Sequence, residues 1–407
     1  MPNCRACRSG RLYMFLSLGD QPPANAFLSR DQLALAEARW PLDPQVCLDC
    51  GLIQIPNVLR ADFFRDYVYV PSASDTLHHH FAGLAAVVRK NLARGSNDLV
   101  VDIGSNDGLF LWKLKCGGGR GLGIEPAENL AHVARDRGVE VVTEYFTANI
   151  ARDVRENHGA ALVVTATNTF NHIDDLHGFM AAVMVLLDSA GTFIVEVPYA
   201  GDLIENNEFD TIYHEHVSEF TVKSIVDLFA CFDLVVVDIV RLAVHGGSMR
   251  VFGRRRNAGA VPSSAVAEWL SAEQRVGLFD VATYDAFAER VQVIKERTLA
   301  LLETLTADGR RIAGYGASAK GNTLLNYYGI GADTLPYLAD RNPLKRGLFS
   351  PGMHIPVVRV ERVLEEQPDY LLLLAWSSKV EVMRQQKEYR RRGGTFIVPV
   401  PEPRVIA

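Results

Sequence analysis

Leu99-Val-Val-Asp-Ile-Gly-Ser-Asn-Asp-Gly108 is an apolar run that breaks into a loop spaced Asp102-x-Gly104-x-x-x-Gly108, and Leu109 to Lys115 continue it with helical periodicity. A buried strand, a tight turn and a crossover helix are the opening unit of a doubly wound α/β sheet. Glycines let a ligand approach the backbone closely, and Asp102 at the strand end can orient that ligand through hydrogen bonds. Leu122-Gly-Ile-Glu-Pro126 is the next strand, with Glu125 where a carboxylate grips a ribose diol. The spacing is not Gly-x-Gly-x-x-Gly, which argues against a dinucleotide and toward a nucleoside without a pyrophosphate. Ala161 to Asn168 and Thr192 to Val197 supply further strands, and Asn106 and Asn168 are assigned to the same nucleoside site.

Beyond the strand ending at Pro198 lies Glu208-Phe-Asp-Thr-Ile-Tyr-His-Glu-His-Val-Ser-Glu-Phe220, with a helix expected from about Thr221. Tyr213, His214, Glu215 and His216 place a phenol, two imidazoles and a carboxylate on a loop beyond a strand, where α/β enzymes keep their chemistry. The plain alternative is a polar surface loop. Imidazole titrates near neutral pH, so a histidine here can act as a base, with His216, His214 and His172 as the candidates. Phe232 to Ile239 and Gly247 to Phe252 read as a closing hairpin, and His245 beside two glycines is placed at a site edge against a simple turn.

Upstream, Cys4/Cys7 and Cys47/Cys50 form two Cys-x-x-Cys pairs. Two such knuckles close a tetrahedral site with no open position, which points to structural zinc; a disulfide pair is the competing reading. Cys116 and Cys231 lack partners. His78, His79 and His80 look like a metal triplet, but consecutive helical positions point about 100° apart, so at most one faces a ligand.

The end of the chain repeats the nucleotide-binding theme. Arg311-Ile-Ala-Gly-Tyr-Gly-Ala-Ser-Ala-Lys-Gly-Asn322 runs from strand into helix, and amides at a helix start plus the Lys320 ammonium make a diphosphate cradle of Gly316, Ser318, Lys320 and Asn322. Asp340 and Arg341, after the next strand, are placed to meet a ribose or base. NAD is the tempting ligand and underlies an alternative oxidoreductase reading. With a nucleoside site already present upstream, the cradle is assigned to a second, nucleotide-bearing ligand. Between the two sheets residues 262–305 read as helical, with Tyr284, Phe287, Val291, Ile294, Thr298, Leu301 and Leu305 as a packing seam.

At 407 residues, 48% hydrophobic and 22% charged, with net charge −6, the chain reads as a soluble multidomain protein. No basic face argues for nucleic acid, no apolar stretch is long enough to span a bilayer, and Met1-Pro-Asn-Cys4 does not resemble a signal peptide, so a cytoplasmic location is expected.

Asp-Ile-Gly-Ser-Asn-Asp-Gly, Ile-Tyr-His-Glu-His and the terminal Pro399-Val-Pro-Glu-Pro-Arg404 together resemble the S-adenosylmethionine-dependent sugar C-methyltransferases that act on nucleotide-linked keto-deoxysugars. The resemblance spans essentially the whole chain. It implies an α/β protein with an N-terminal Cys4 zinc lobe (1–70), a class I methyltransferase domain (71–260), connecting helices (261–305) and a C-terminal Rossmann-like domain (306–407). Substrate would lie between the last two. His216 would be the base, Tyr213 and Glu215 its neighbours, His172 a second imidazole across the cleft, and Tyr67 or Tyr69 the residue closing the acceptor site. Where such relatives often carry an aromatic, this chain has Glu219. Methylating carbon requires removal of a proton beside a carbonyl and stabilisation of the enolate oxygen, which Tyr213 or His172 can supply. The expected activity is methylation at C3 or C5 of a 4-keto-deoxyhexose, with dTDP as the expected carrier, by a monomer or homodimer. A zinc-stapled, non-catalytic binding module is the remaining alternative.

Overall fold

Short strands around the two cysteine knuckles build the N-terminal lobe: β1 (Leu12–Met14), β2 (Asp20–Gln21), β3 (Trp40–Pro41), β4 (Gln45–Cys47) and β5 (Ile53–Gln54). The computed structural model describes residues 3–92 and 95–407, so the first two residues of the Met1-Pro-Asn-Cys4 start lie outside it. Lobe and sheet are joined through α1 (Asp75–Val87), whose N-cap Ser74 accepts from the Leu77 amide.

Alternation of strand and helix then follows the expected pattern. The elements are β6 (Leu99–Ile103), α2 (Leu109–Cys116), β7 (Arg120–Ile124), α3 (Glu128–Asp136), β8 (Glu140–Val142), α4 (Ala148–His158), β9 (Ala161–Thr167), α5 (Leu176–Leu186) and β10 (Leu187–Pro198). Next come α6 (Ala200–Glu205), β11 (Ser218–Glu219), α7 (Val222–Ala230) and the hairpin of β12 (Leu234–Leu242) and β13 (Ser248–Arg255). Seven strands pair in the order β12-β13-β10-β9-β6-β7-β8. The central β6 is buried throughout, as expected for a strand with helices on both faces. β6 to β10 are parallel, and β13 and β12 close one edge antiparallel.

The helices α8 (Ser264–Arg275) and α9 (Val281–Ala307) cross to the last unit. α9 buries Tyr284, Phe287, Val291, Ile294 and Thr298 as expected, but its last turns bury Leu302 at 2% exposure, with Leu301 and Leu305 only partly covered. Over 27 residues, a 3.6-residue helix drifts away from a strict alternation of threes and fours. The last sheet contains β14 (Ile312–Tyr315), β15 (Leu338–Asp340), β16 (Val357–Arg359), β17 (Tyr370–Leu373), β18 (Thr395–Val398) and β19 (Arg404–Ile406), with α10 (Ala319–Tyr328) after β14. Its order is β16-β15-β14-β17-β18-β19, parallel except for β19.

Strand pairing also crosses between the units. β11, from the His-Glu-His loop, is the fourth strand of the cysteine lobe's sheet, ordered β1-β4-β5-β11, with Ser218 opposite Gln54 and Glu219 opposite Ile53. Among the described residues, no helix is long and apolar enough to cross a membrane.

Candidate active site

Four cysteine sulfurs lie within 4.8 Å of one another, with Cys4 and Cys50 Sγ 3.5 Å apart and Cys7 and Cys47 Sγ likewise 3.5 Å apart. Sulfurs around a tetrahedral zinc, at about 2.3 Å each, stand roughly 3.8 Å from one another. All four thiols are free, so the disulfide alternative is set aside. Their crowding leaves an unresolved competition for protons. Hydrogen bonds from Cys4 and Cys50 push Cys47 down to about 2, while Cys4 is raised to about 12. A divalent cation would relieve that conflict by holding all four as thiolates, so the donor set fits a structural metal site.

The glycine loop at the end of β6 differs in detail from its sequence reading. Asp102 is 2% exposed, accepts from Thr165 Oγ1 at 2.5 Å and is pushed by burial up to about 7; it works inside the sheet and not at a ligand face. Gly104 (φ 71°) leaves room for Thr169, whose side chain a Cβ would overlap, and Gly108 (φ 72°) admits Ala134 of α3. Both glycines therefore serve close approach of protein to protein. Glu125 does sit at the loop, accepting from the Asn106 amide at 2.7 Å and the Ala127 amide at 2.9 Å. Each carboxylate oxygen keeps a lone pair for a ribose hydroxyl, and burial raises the group to about 6. Asn106 (φ 51°) turns its side-chain amide to the Tyr69 carbonyl, and Asn168 (φ 51°) donates its amide to the Glu196 carbonyl at the end of β10. Asp107, missed in the sequence, ties the loop together by pairing with Arg137 at 3.0 Å and accepting from the Ser72 amide.

The His-Glu-His loop is buried, not a polar surface loop: Tyr213 is 8%, His214 1%, Glu215 0% and His216 9% exposed. Tyr213 Oη meets His216 Nε2 at 2.5 Å, and His216 Nδ1 meets Glu219 Oε1 at 2.9 Å. The His172 ring stands edge-on to His216 with centroids 5.0 Å apart, and Phe64 and Tyr67 continue the aromatic wall. Burial first, then the neighbouring imidazole, holds His172 down to about 3; burial and the Lys320 charge hold His216 down to about 3. Desolvation keeps the Tyr213 phenol well above its ordinary value, so it stays a proton donor. Glu215 points away from this line, to the Ala24 and Asn25 amides at 3.2 and 2.7 Å, which anchors the loop to the cysteine lobe. His214 turns to the Pro41 carbonyl.

The two tyrosines left open by spacing separate here. Tyr67 Oη accepts from Asn25 Nδ2 at 3.2 Å and lies in the field of Glu215, on the His216 side; Tyr69 packs with the apolar cluster around α1 and lies in the field of Asp107, on the glycine-loop side. Of the histidine triplet, only His80 reaches a buried carboxylate, Glu196 Oε2 at 2.6 Å, and Glu196 also holds Arg250.

The C-terminal cradle is occupied by the chain's own bonds. Ser318 Oγ accepts from the Gly321 amide at 3.0 Å as a helix cap and donates to the Leu374 carbonyl at 3.1 Å. Asp340 accepts from the Ala317 amide at 2.6 Å and the Asn342 amide at 2.7 Å. Asn322 donates to the Ala24 carbonyl at 2.7 Å, and Arg341 turns out to Glu381 at 3.3 Å. At Gly316 (φ 89°) a Cβ would crowd Ala375. Lys320 Nζ crosses to the other sheet's loops, 3.2 Å from Glu208 and 2.8 Å from the His245 carbonyl, over the Trp376 ring. The side chains expected to hold a diphosphate or ribose are thus engaged within the protein, and Lys320 acts as a bridge. Gly246 and Gly247 are explained the same way, since a Cβ on either would overlap Glu208 or Asp202.

The seven-stranded sheet with its glycine loop after β6 is the fold of a methyltransferase domain, and the comparisons give its class as an S-adenosylmethionine-dependent methyltransferase. Residues 77–239 match the Methyltransferase domain family, residues 4–64 the family described for zinc binding, and residues 243–401 the C-methyltransferase C-terminal domain. The chain is 39% identical over 405 residues to the C-methyltransferase NovU of Streptomyces niveus, covering 99% of this chain and 96% of the relative. It belongs to this family of C-methyltransferases. Solved structures with similarity include magnesium protoporphyrin IX methyltransferase from Synechocystis PCC 6803 with bound SAM, at 13% identity, TM-score 0.33, 44% of this chain and 79% of that one. The Bacillus YcgJ protein matches at 15% identity, TM-score 0.36, 44% of this chain and 99% of that one.

Proposed function

We propose that the protein methylates a carbon next to the ketone of a nucleotide-linked 4-keto-deoxyhexose, C3 or C5, with dTDP as the carrier. The observation that carries the reading is the buried Tyr213–His216 contact at 2.5 Å, flanked by His172 and in the field of Lys320 from the C-terminal unit. When bound, S-adenosylmethionine supplies an electrophilic methyl group, held at Glu125, Asn106 and Asn168. Sugar entering the site displaces the Tyr213 hydroxyl from His216 Nε2. The freed lone pair takes the proton from the carbon beside the ketone, and the displaced phenol donates to the enolate oxygen. His172, neutral at working pH, lines the opposite wall, and Tyr67 closes the acceptor side. The unit from 306 to 407 contacts the nucleotide, through backbone groups and Lys320 once it leaves Glu208. Zinc is the metal of the four cysteines, whose free thiols suit a reducing, cytoplasmic setting.

Incubation with methyl-labelled donor and a dTDP-4-keto-6-deoxyhexose is expected to place label on carbon. His216→Ala is expected to lower turnover about 100–10,000-fold while donor affinity is kept. Label on oxygen, or full activity without the imidazole, would overturn the reading.

A further inference from the structure

Glu219 is a buried carboxylate with one polar partner. It is 1% exposed, its Oε1 lies 2.9 Å from His216 Nδ1, and its Oε2 is buried with no hydrogen-bond partner among the described residues. The backbone around it is set by pairing with Ile53 in the cysteine lobe's sheet, so the carboxyl is held in place. Burying a carboxylate costs several kcal/mol unless it is well paired, and a half-satisfied one is a poor device for stability. Such groups concentrate where chemistry needs them.

We propose that Glu219 is a positioning residue for the proton transfer, fixing the Nδ1–H form of His216, aiming Nε2 at Tyr213 and the sugar, and balancing the imidazolium that forms. This rests on His216 being the base. In the step, the sugar C–H bond breaks, its proton goes to Nε2 and its electron pair enters the enolate. S-adenosylmethionine held at Glu125, Asn106 and Asn168 would supply the methyl group for that carbon, its sulfur keeping the pair of the broken S–C bond, and the proton passes from His216 to solvent. Throughout, the Nδ1 proton stays between imidazole and Glu219, whose negative charge offsets the new positive one.

His172, His245, Lys320 and Tyr213 face the imidazole, and Lys320 also acts on Glu219. Burial drives the Glu219 carboxyl well above its ordinary range while holding the imidazole low, and the 2.9 Å contact is what ties the two groups together.

The test is a comparison of the full-length Glu219→Gln, Glu219→Asp and His216→Ala proteins, using S-adenosylmethionine and a dTDP-4-keto-6-deoxyhexose as probes. Glu219→Gln keeps the hydrogen bond but not the charge. It is expected to lower kcat about 10–100-fold, with both KM values within about threefold, and to move the acid limb of kcat to lower pH. Exchange of the substrate's proton in D2O is expected to fall in step, and Glu219→Asp to recover part of the loss. If Glu219→Gln fails to fold by melting curve and donor binding, Glu219→Asp carries the comparison on the same pH profile. Parent-like kcat and acid limb in the folded variant would overturn this role; if His216→Ala is also fully active, it is the assignment of the base that fails.

Discussion

His172 shows how much of the site's chemistry is set by environment. Its Nδ1 is buried without a partner, and desolvation with the neighbouring His216 holds it down to about 3. A folded-state value below the unfolded one means that the unfolded chain binds more protons between about pH 3 and 6.5, so the stability held by this neutral ring is present above 6.5 and lost on acidification. Carboxyls raised by burial, Glu208 and Glu215 at about 7, act in the opposite sense, losing stability as pH rises toward 7. Comparing parent with His172→Gln separates the two: the parent's melting temperature is expected to drop a few degrees more than the variant's between pH 6.5 and 5. Equal drops would show that this ring does not titrate on unfolding.

At the scale of elements, the pairing of β11 with β5 ties the cysteine lobe to the His-Glu-His loop. Thr221 Oγ1 donates to the Cys50 carbonyl at 2.7 Å, and the same hydroxyl caps α7, so a knuckle cysteine and the end of the His-Glu-His loop share one hydrogen-bonded residue. Metal loss is expected to act through this contact and not through the chemistry. Removing the metal with a chelator, or Cys47→Ser, is expected to cut kcat more than tenfold and lower the melting temperature, with one metal per chain by atomic emission in the parent. A metal-free protein with parental activity would show that the lobe does not hold the loop.

Across the whole molecule, Lys320 bridges the two α/β sheets. Glu208 is 4% exposed and raised to about 7 by burial, with the Lys320 charge opposing that rise, and Trp376 Nε1 reaches Asp210 at 2.7 Å beside it. Because the two groups share a contact, their substitutions should not add. Lys320→Met and Glu208→Gln are each expected to lower stability, with a coupling energy of about 0.5–3 kcal/mol in the double-mutant cycle. Strict additivity would mean that the bridge contributes nothing to joining the two units.

The α/β class, the four-cysteine cluster and the strand-to-loop turn at Gly104 were legible in the chain, because periodicity, metal-ligand spacing and strand-to-loop transitions are local properties. Tertiary structure decided the partners. It turned Asp102 inward to Thr165, closed the C-terminal cradle with Asp340 and Ser318, sent Lys320 across to Glu208, and set Glu219 against His216. A side chain's role follows from what packing brings within about 3 Å of it, and that depends on how distant strands register, which no local pattern records.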